Sequence, residues 1–240
     1  MRFDGKRILV TGASRGIGRA LAELLSAEGA EVLALARSAE ALGGMPDSAE
    51  QLVCDLADSS ARAALIAQLQ GQRLNGVVNN AGIQVTADFA KAEAAPVDIE
   101  RELSVNLAAP MYLAAGLMPV LARTPGSFLV NVTSGLALAP KRQAPVYCAS
   151  KAGLRSFTRA LRYQADDAGL PVQVTDCVMA LTDTEMTTGR GRGKLSAAEA
   201  ASALLAGIAG GKDEIWVGRM KLLRLIHRLS PRLAQRILRG

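Results

Sequence analysis

Short aliphatic runs alternate along the chain with longer stretches in which apolar positions return every three or four residues. RILVT (7–11), EVLALA (31–36), QLVC (51–54), GVVNN (76–80), SFLVNVTS (127–134), VQVTDCV (172–178) and EIWV (214–217) read as strands. Helical patterns fall at 17–28, about 59–70, near 98–121 and about 146–166. Strands alternating with helices predict βαβ units, and hence a doubly wound α/β fold whose parallel sheet carries helices on both faces. No internal repeat or linker divides the chain, so one domain over 1–218 is expected, followed by an appendage at 219–240.

Two segments need separate readings. LAAPMYLAAGLMPVLA (107–122) is weakly polar, but it holds two prolines and a glycine over only 16 residues. A membrane span needs about 20 apolar residues, so this run is read as a buried helix. RMKLLRLIHRLSPRLAQRILRG (219–240) predicts two short helices meeting at Ser230 and Pro231, an N-cap followed by a first-turn proline. Leu222, Ile226, Leu229, Leu233 and Ile237 form an apolar stripe, while Arg224, Arg228, Arg232 and Arg236 repeat on another flank. Such a segment suits packing on the body or on a second subunit, or peripheral contact with an anionic membrane surface.

Composition narrows the class. Half of the 240 residues are apolar and only 3% are aromatic, so aliphatic packing must build the core. The formal charge is +6, yet 219–240 holds seven Lys/Arg and no acid, leaving 21 basic against 22 acidic residues elsewhere. This is a neutral body with a basic tail, not a nucleic-acid-binding surface. Cys54, Cys148 and Cys177 are odd in number and widely spaced, which fits a reducing compartment rather than a disulfide framework. With one histidine, His227, and no cysteine pair, no metal site is expected. MRFDGKRILVTG enters a strand almost at once, and the expectation is a cytoplasmic protein without a signal peptide.

The first predicted strand runs into VTGASRGIGRAL. Gly12, Gly16 and Gly18 would let backbone approach a pyrophosphate at a helix N-terminus, the place where a nucleotide binds in such folds. The second strand ends in Ala36 and Arg37 rather than the acid that usually holds a ribose 2′-hydroxyl. Arg37 and Arg15 together suit a 2′-phosphate, so NADP(H) is expected over NAD(H).

TGASRGIG (11–18), CDL (54–56), NNAG (79–82), SVNL (104–107), NVTSG (131–135) and YCASK (147–151) stand in the order and spacing of the short-chain dehydrogenase/reductase family. The resemblance covers about residues 6–185 and implies a Rossmann domain with a seven-stranded parallel sheet. It also implies hydride transfer between a nicotinamide and a carbonyl or alcohol. On this resemblance Gly12, Ser14, Arg15, Gly16, Ile17, Gly18, Arg37, Asp55, Leu56, Asn79, Ala81, Gly82, Tyr147, Lys151, Thr182 and Thr184 would hold the cofactor, with Asp55 at the adenine and Thr184 at the carboxamide. Asn106, Ser134, Tyr147 and Lys151 would form a catalytic tetrad, and the family commonly forms homodimers or homotetramers through the helices at 98–121 and 146–166.

The residue chemistry agrees with that implication. Tyr147 and Lys151 lie one helical turn apart, about 6 Å in rise. A free phenol titrates near 10, and a cation one turn away stabilises its ionised form. Tyr147 can then exchange a proton with a substrate oxygen that Ser134 also binds. Alone, the pair is equally an ordinary surface contact; Ser134 and Asn106 tip the reading toward catalysis.

The stretch CVMALTDTEMTTGRGRGK (177–194) departs from the family by placing Met179 and Ala180 where a Pro-Gly pair is usual. In this it resembles a subgroup associated with bacterial D-alanine esterification of teichoic acids. Arg190, Arg192 and Lys194 would make either a lid that attracts an anionic substrate or a solvated loop. Pocket walls are expected from 83–97, 135–146 and 181–200. The expected activity is therefore NADPH-dependent reduction of a small-molecule carbonyl, or the reverse. The alternatives are an NADP(H)-binding redox sensor and a membrane-surface scaffold with little turnover.

Overall fold

The computed structural model describes residues 1–91, 96–189 and 193–239. Seven parallel strands form one sheet: β1 (Arg7–Thr11), β2 (Glu31–Ala36), β3 (Glu50–Val53), β4 (Gly76–Asn79), β5 (Ser127–Ser134), β6 (Val172–Met179) and β7 (Glu214–Trp216). Their order is β3-β2-β1-β4-β5-β6-β7. The chain thus winds outward from β1 in one direction and from β4 in the other, opening a crevice at the carboxyl ends of the strands. The predicted strands at 51–54, 76–80, 172–178 and 214–217 shift at their ends by a residue, and the other three keep their predicted bounds.

Both faces of the sheet are covered, which explains why its strands read as nearly continuous apolar runs. Alternation along β1 sends Ile8 and Val10 to one core with Leu21 and Leu25 of α1 (Gly16–Ala27) and Leu204 and Ile208 of a later helix, Ala197–Ala209. Leu9 turns to the opposite core, with Leu65 and Leu69 of α2 (Ser59–Gln70) and with Leu113 and Leu117 of the apolar helix predicted from 107–122.

That helix is not one uniform element. α3 (Pro96–Leu103) passes through a π-helical turn, Ser104–Ala108, into α4 (Ala109–Ala122). Pro110, just past this turn, has no N–H to return to the Asn106 carbonyl, and Pro119 inside α4 lacks one likewise. Ile99–Ala122 is long and apolar enough to cross a membrane by composition, but half of its most apolar stretch is buried inside the fold.

α5 (Pro145–Asp167) carries its buried face as Lys151, Arg155 and Thr158, at four- and three-residue steps from Tyr147. Arg155 bonds Asp176, a fully buried residue of β6, and also Glu214 of β7 at 2.7 Å. Burial pushes the Asp176 carboxyl upward, against the opposing pull of Arg155 and the Thr133 hydroxyl. The pair therefore clamps α5 to the far strands of the sheet.

After α6 (Ala197–Ala209) and β7 come α7 (Met220–Leu229) and α8 (Pro231–Leu238), meeting at Ser230, whose hydroxyl caps the Leu233 N–H at 3.4 Å. Leu223 and Ala234 are buried against Ala139, and the Arg142 N–H donates to the Arg239 carbonyl at 3.0 Å. The apolar stripe expected as one continuous row is thus divided. Ile226 packs inward with Leu223, whereas Leu222, Leu225, Leu229, Leu233 and Ile237 stay exposed. The division falls within α7, where Ile226 lies toward Leu223 and the body.

Arg155→Met should destabilise the fold by about 3–5 kcal/mol, because it strands the buried Asp176 carboxylate. The double variant Arg155→Met/Asp176→Leu should recover most of that loss in urea unfolding. Simple additivity of the two single changes would contradict the clamp.

Candidate active site

A cleft of about 770 Å³ opens at the carboxyl ends of the central strands. One end is built by the glycine turn between β1 and α1. Gly12 has φ 67°, and a Cβ there would lie 2.9 Å from Ala81 Cα. Gly18 sits beneath the turn, where a Cβ would fall 2.2 Å from the Gly12 carbonyl oxygen. Only glycine leaves the backbone this close. Asn80 braces the turn, its Nδ2 donating to the Thr11 carbonyl at 3.0 Å. The first turn of α1 has no side-chain cap and no acidic residue, so its N–H groups remain suited to an anion.

Gly12, Ser14, Arg15, Gly16, Ile17, Arg37, Asp55, Leu56, Ala81 and Gly82 all line this end of the cleft. Gly18 supports it from below. Asp55 accepts from the Ala57 N–H at 2.9 Å and pairs with Arg101 at 2.9 Å. Burial opposes its ionisation, but these two partners outweigh it and hold the carboxyl below its usual range. Arg15 pairs with Glu185 across the cleft, and a Cβ on Gly16 would meet Thr184 Cγ2 at 2.9 Å. The glycine turn and the segment after β6 therefore touch.

Ser134, Tyr147, Lys151, Thr182 and Thr184 line the deeper part. Ser134 ends β5, and its hydroxyl accepts from the Leu136 N–H at 3.2 Å. Lys151 is 3% exposed, donates to the Val132 carbonyl at 2.8 Å and places its Nζ 5.8 Å from the centre of the Tyr147 ring. Burial depresses the Lys151 ammonium to about 8, with Asp176 and Glu102 resisting the shift. Thr182 is buried, and the Thr187 hydroxyl donates to its carbonyl at 2.6 Å. Met179 and Ala180, standing where the Pro-Gly pair was expected, are part of the wall.

Besides Gly18, which lies beneath the turn, two expected site residues do not reach the cleft. Asn79 turns with the strand alternation into the sheet–helix interface, where its Nδ2 donates to Asn131 Oδ1 at 2.8 Å; its neighbour Asn80 lines the cleft instead. Asn106 is fully buried in the π turn. Its side chain accepts from the Ile83 N–H at 2.9 Å and donates to the Ile83 carbonyl at 2.8 Å and Ser150 Oγ at 3.2 Å. It holds the wall behind Gly82, where a Cβ would lie 3.4 Å from its Oδ1 and 3.6 Å from Lys151 Nζ. Arg190 and Arg192 of the expected lid, and 92–95 of the expected pocket wall, lie outside the described residues. Lys194 is bonded to Asp183 at 3.0 Å and to the Thr187 carbonyl at 2.7 Å.

Sequence reasoning missed the tail's share in the site. Met220, Ile237 and Leu238 line the cleft beside Leu136, Leu181 and Met186 and make that end apolar. Gly135 makes room for this, since a Cβ there would lie 2.4 Å from Met220 Sδ. Arg101 was also missed. No local signal pairs it with Asp55, 46 residues away, because only the packed fold brings them together.

The short chain dehydrogenase family model matches residues 6–194. An uncharacterized oxidoreductase of Bacillus subtilis, DltE, is 39% identical over 93% of this chain and 92% of its own length. The benzil reductase of the same organism is 33% identical over 74% of this chain and 75% of its own. A short chain dehydrogenase from Burkholderia cenocepacia, solved in complex with NADP, superposes with a TM-score of 0.89 at 26% identity, covering 99% of both chains. The fold, the glycine turn and these relatives together make the chain a member of the short-chain dehydrogenase/reductase family of oxidoreductases.

Proposed function

We propose that residues 1–218 form an NADP(H)-binding domain that reduces an apolar carbonyl compound, or oxidises the corresponding alcohol, with the tail closing the substrate end of its cleft. The observation that carries this reading is that Tyr147, Lys151 and Ser134 line the same cleft as the glycine turn. The turn and the uncapped start of α1 fit a pyrophosphate, Asp55 an adenine, and Arg15 and Arg37 a 2′-phosphate. Two solved relatives, from Burkholderia cenocepacia and Sphingobium yanoikuyae, are complexes with NADP and NADPH. The cofactor, when bound, supplies or accepts hydride.

The chain's own groups handle the proton and the orientation. Ser134 donates a hydrogen bond to the substrate oxygen, and Tyr147 gives that oxygen a proton during reduction. Lys151 supports the phenol electrostatically and binds the nicotinamide ribose. Pro110 has no N–H to give the Asn106 carbonyl its usual i+4 bond, and this supports a role for Asn106 in anchoring a water near Lys151. Thr182 and Thr184 border the nicotinamide end. The apolar wall of Leu136, Leu181, Met220 and Leu238 favours a substrate with apolar substituents. Benzil is accordingly a suitable first probe.

Three buried free cysteines support a reducing, cytoplasmic setting. The exposed side chains Tyr112 on α4 and Tyr163 on α5 support pairing of these helices in a homodimer or homotetramer. Light scattering at micromolar concentration should give a multiple of the 25.0 kDa chain, and a monomeric mass would refute the pairing.

Tyr147→Phe should lower carbonyl reduction by about 10²–10⁴-fold while leaving NADPH binding nearly intact. Turnover that stays within about tenfold of the parent would refute the proton-donor role. In the parent, Lys151 carries its charge below about 8 and loses it above. The reduction rate should therefore fall as pH rises through that value, and a flat profile there would contradict the role given to the ammonium.

NADPH should bind about ten- to a hundredfold more tightly than NADH, the typical worth of one lost charged contact. Arg37→Asp should reverse the order. Equal binding of the two nucleotides to the parent protein would exclude the arginine argument.

A further inference from the structure

We propose that the outer face of α7 and α8 docks on the surface of an anionic lipid bilayer. Among the described residues, eleven large apolar side chains remain exposed, and five of them fall within this one segment. They are Leu222, Leu225, Leu229, Leu233 and Ile237, with Leu229 the most open at 77%. The spacing of three and four residues puts the first three on one side of α7 and the last two on one side of α8. Leu229 and Leu233 flank the break at Ser230, so the two rows adjoin.

The inner sides of the helices already have partners. Leu223 and Ala234 pack on Ala139, Arg142 and Arg239 are joined through the backbone, and Arg224 lies 5.2 Å over the Trp216 ring. The outer rows are therefore not a core surface awaiting these residues' own body. They stand on helices that are held in place.

Charge selects the occupant. Lys221, Arg228, Arg232, Arg236 and Arg239 are exposed around the apolar rows, and residues 219–239 contain no acid. Arg224 alone of this segment has a described ion pair, to Glu214 at 3.9 Å. A second copy paired about a two-fold axis would bring this basic face against itself, with like charges opposed. A polynucleotide would answer the cations but leave the leucines in water. An anionic bilayer answers both, with guanidinium groups at the phosphates and leucines at the acyl boundary. Ile237 belongs both to the exposed row and to the cleft lining, so docking brings the mouth of the cleft to the lipid surface. The docking argument does not depend on the reaction proposed above.

The test is co-sedimentation of the full-length protein with vesicles of phosphatidylglycerol or of phosphatidylcholine. Binding is expected to the first and not the second at low salt, with release as salt rises. Leu225→Ser/Leu229→Ser and Arg228→Glu/Arg232→Glu should each weaken it by about tenfold or more while leaving the Tm of this exposed surface's fold unchanged. Absence of binding to phosphatidylglycerol at low salt would overturn the proposal, as would equal binding to both lipids. So would a leucine variant that turns a dimer into a monomer in light scattering yet still binds vesicles as the parent does.

Discussion

Two cations buried one helical turn apart, Lys151 and Arg155, constrain everything around α5. Each would be costly alone in the interior. Arg155 is answered by Asp176 and Glu214, and Lys151 by the Val132 carbonyl. Asp176 serves both, since its charge also resists the depression of Lys151. A carboxylate on β6 and a carbonyl on β5 therefore set how α5 lies on the sheet. Tyr147, one turn before Lys151, inherits its place in the cleft from that arrangement.

The rest of the site follows from where the sheet changes direction. Strand order reverses between β1 and β4, and the glycine turn after β1 fills the resulting crevice. Thr11 and Asn80 tie the ends of those two strands together, with the Asn80 and Ala81 N–H groups both donating to the Thr11 hydroxyl at 3.0 Å. The cofactor end is thus rigid backbone, whereas the substrate end is made of side chains from several later segments. That division suits a fold that hosts many different functions.

Much of this was legible in the residues themselves. The strands β1, β2 and β5 were readable as short aliphatic runs bounded by polar or turn-forming residues, and the helix α2 as an alanine- and leucine-rich stretch behind the capping Asp58. Asn79 was read as bracing the central strand and bordering the cofactor, and the bracing is what the fold shows, in its bond to Asn131; a motif marks a stretch of chain, while strand alternation decides which of two adjacent asparagines faces the crevice. The Arg101–Asp55 pair and the apolar cap from Met220, Ile237 and Leu238 depend on long-range packing, which no local period encodes. The stripe in the tail was visible, but that Ile226 turns inward to Leu223 while Leu222, Leu229, Leu233 and Ile237 stay outside depends on how α7 sits against Ala139, which no local period encodes.

The central claim is that the cleft joining the glycine turn to Tyr147 and Lys151 performs hydride transfer. It is tested most directly by following the label from NADPH deuterated at the transferring position of the nicotinamide in a single turnover with benzil and a panel of apolar ketones. The expected result is deuterium on the carbinol carbon of at least one product, lost when Tyr147 is changed to Phe. Tight binding of the labelled cofactor with no deuterium delivered to any carbonyl would contradict the account and identify the cleft as a nucleotide sensor.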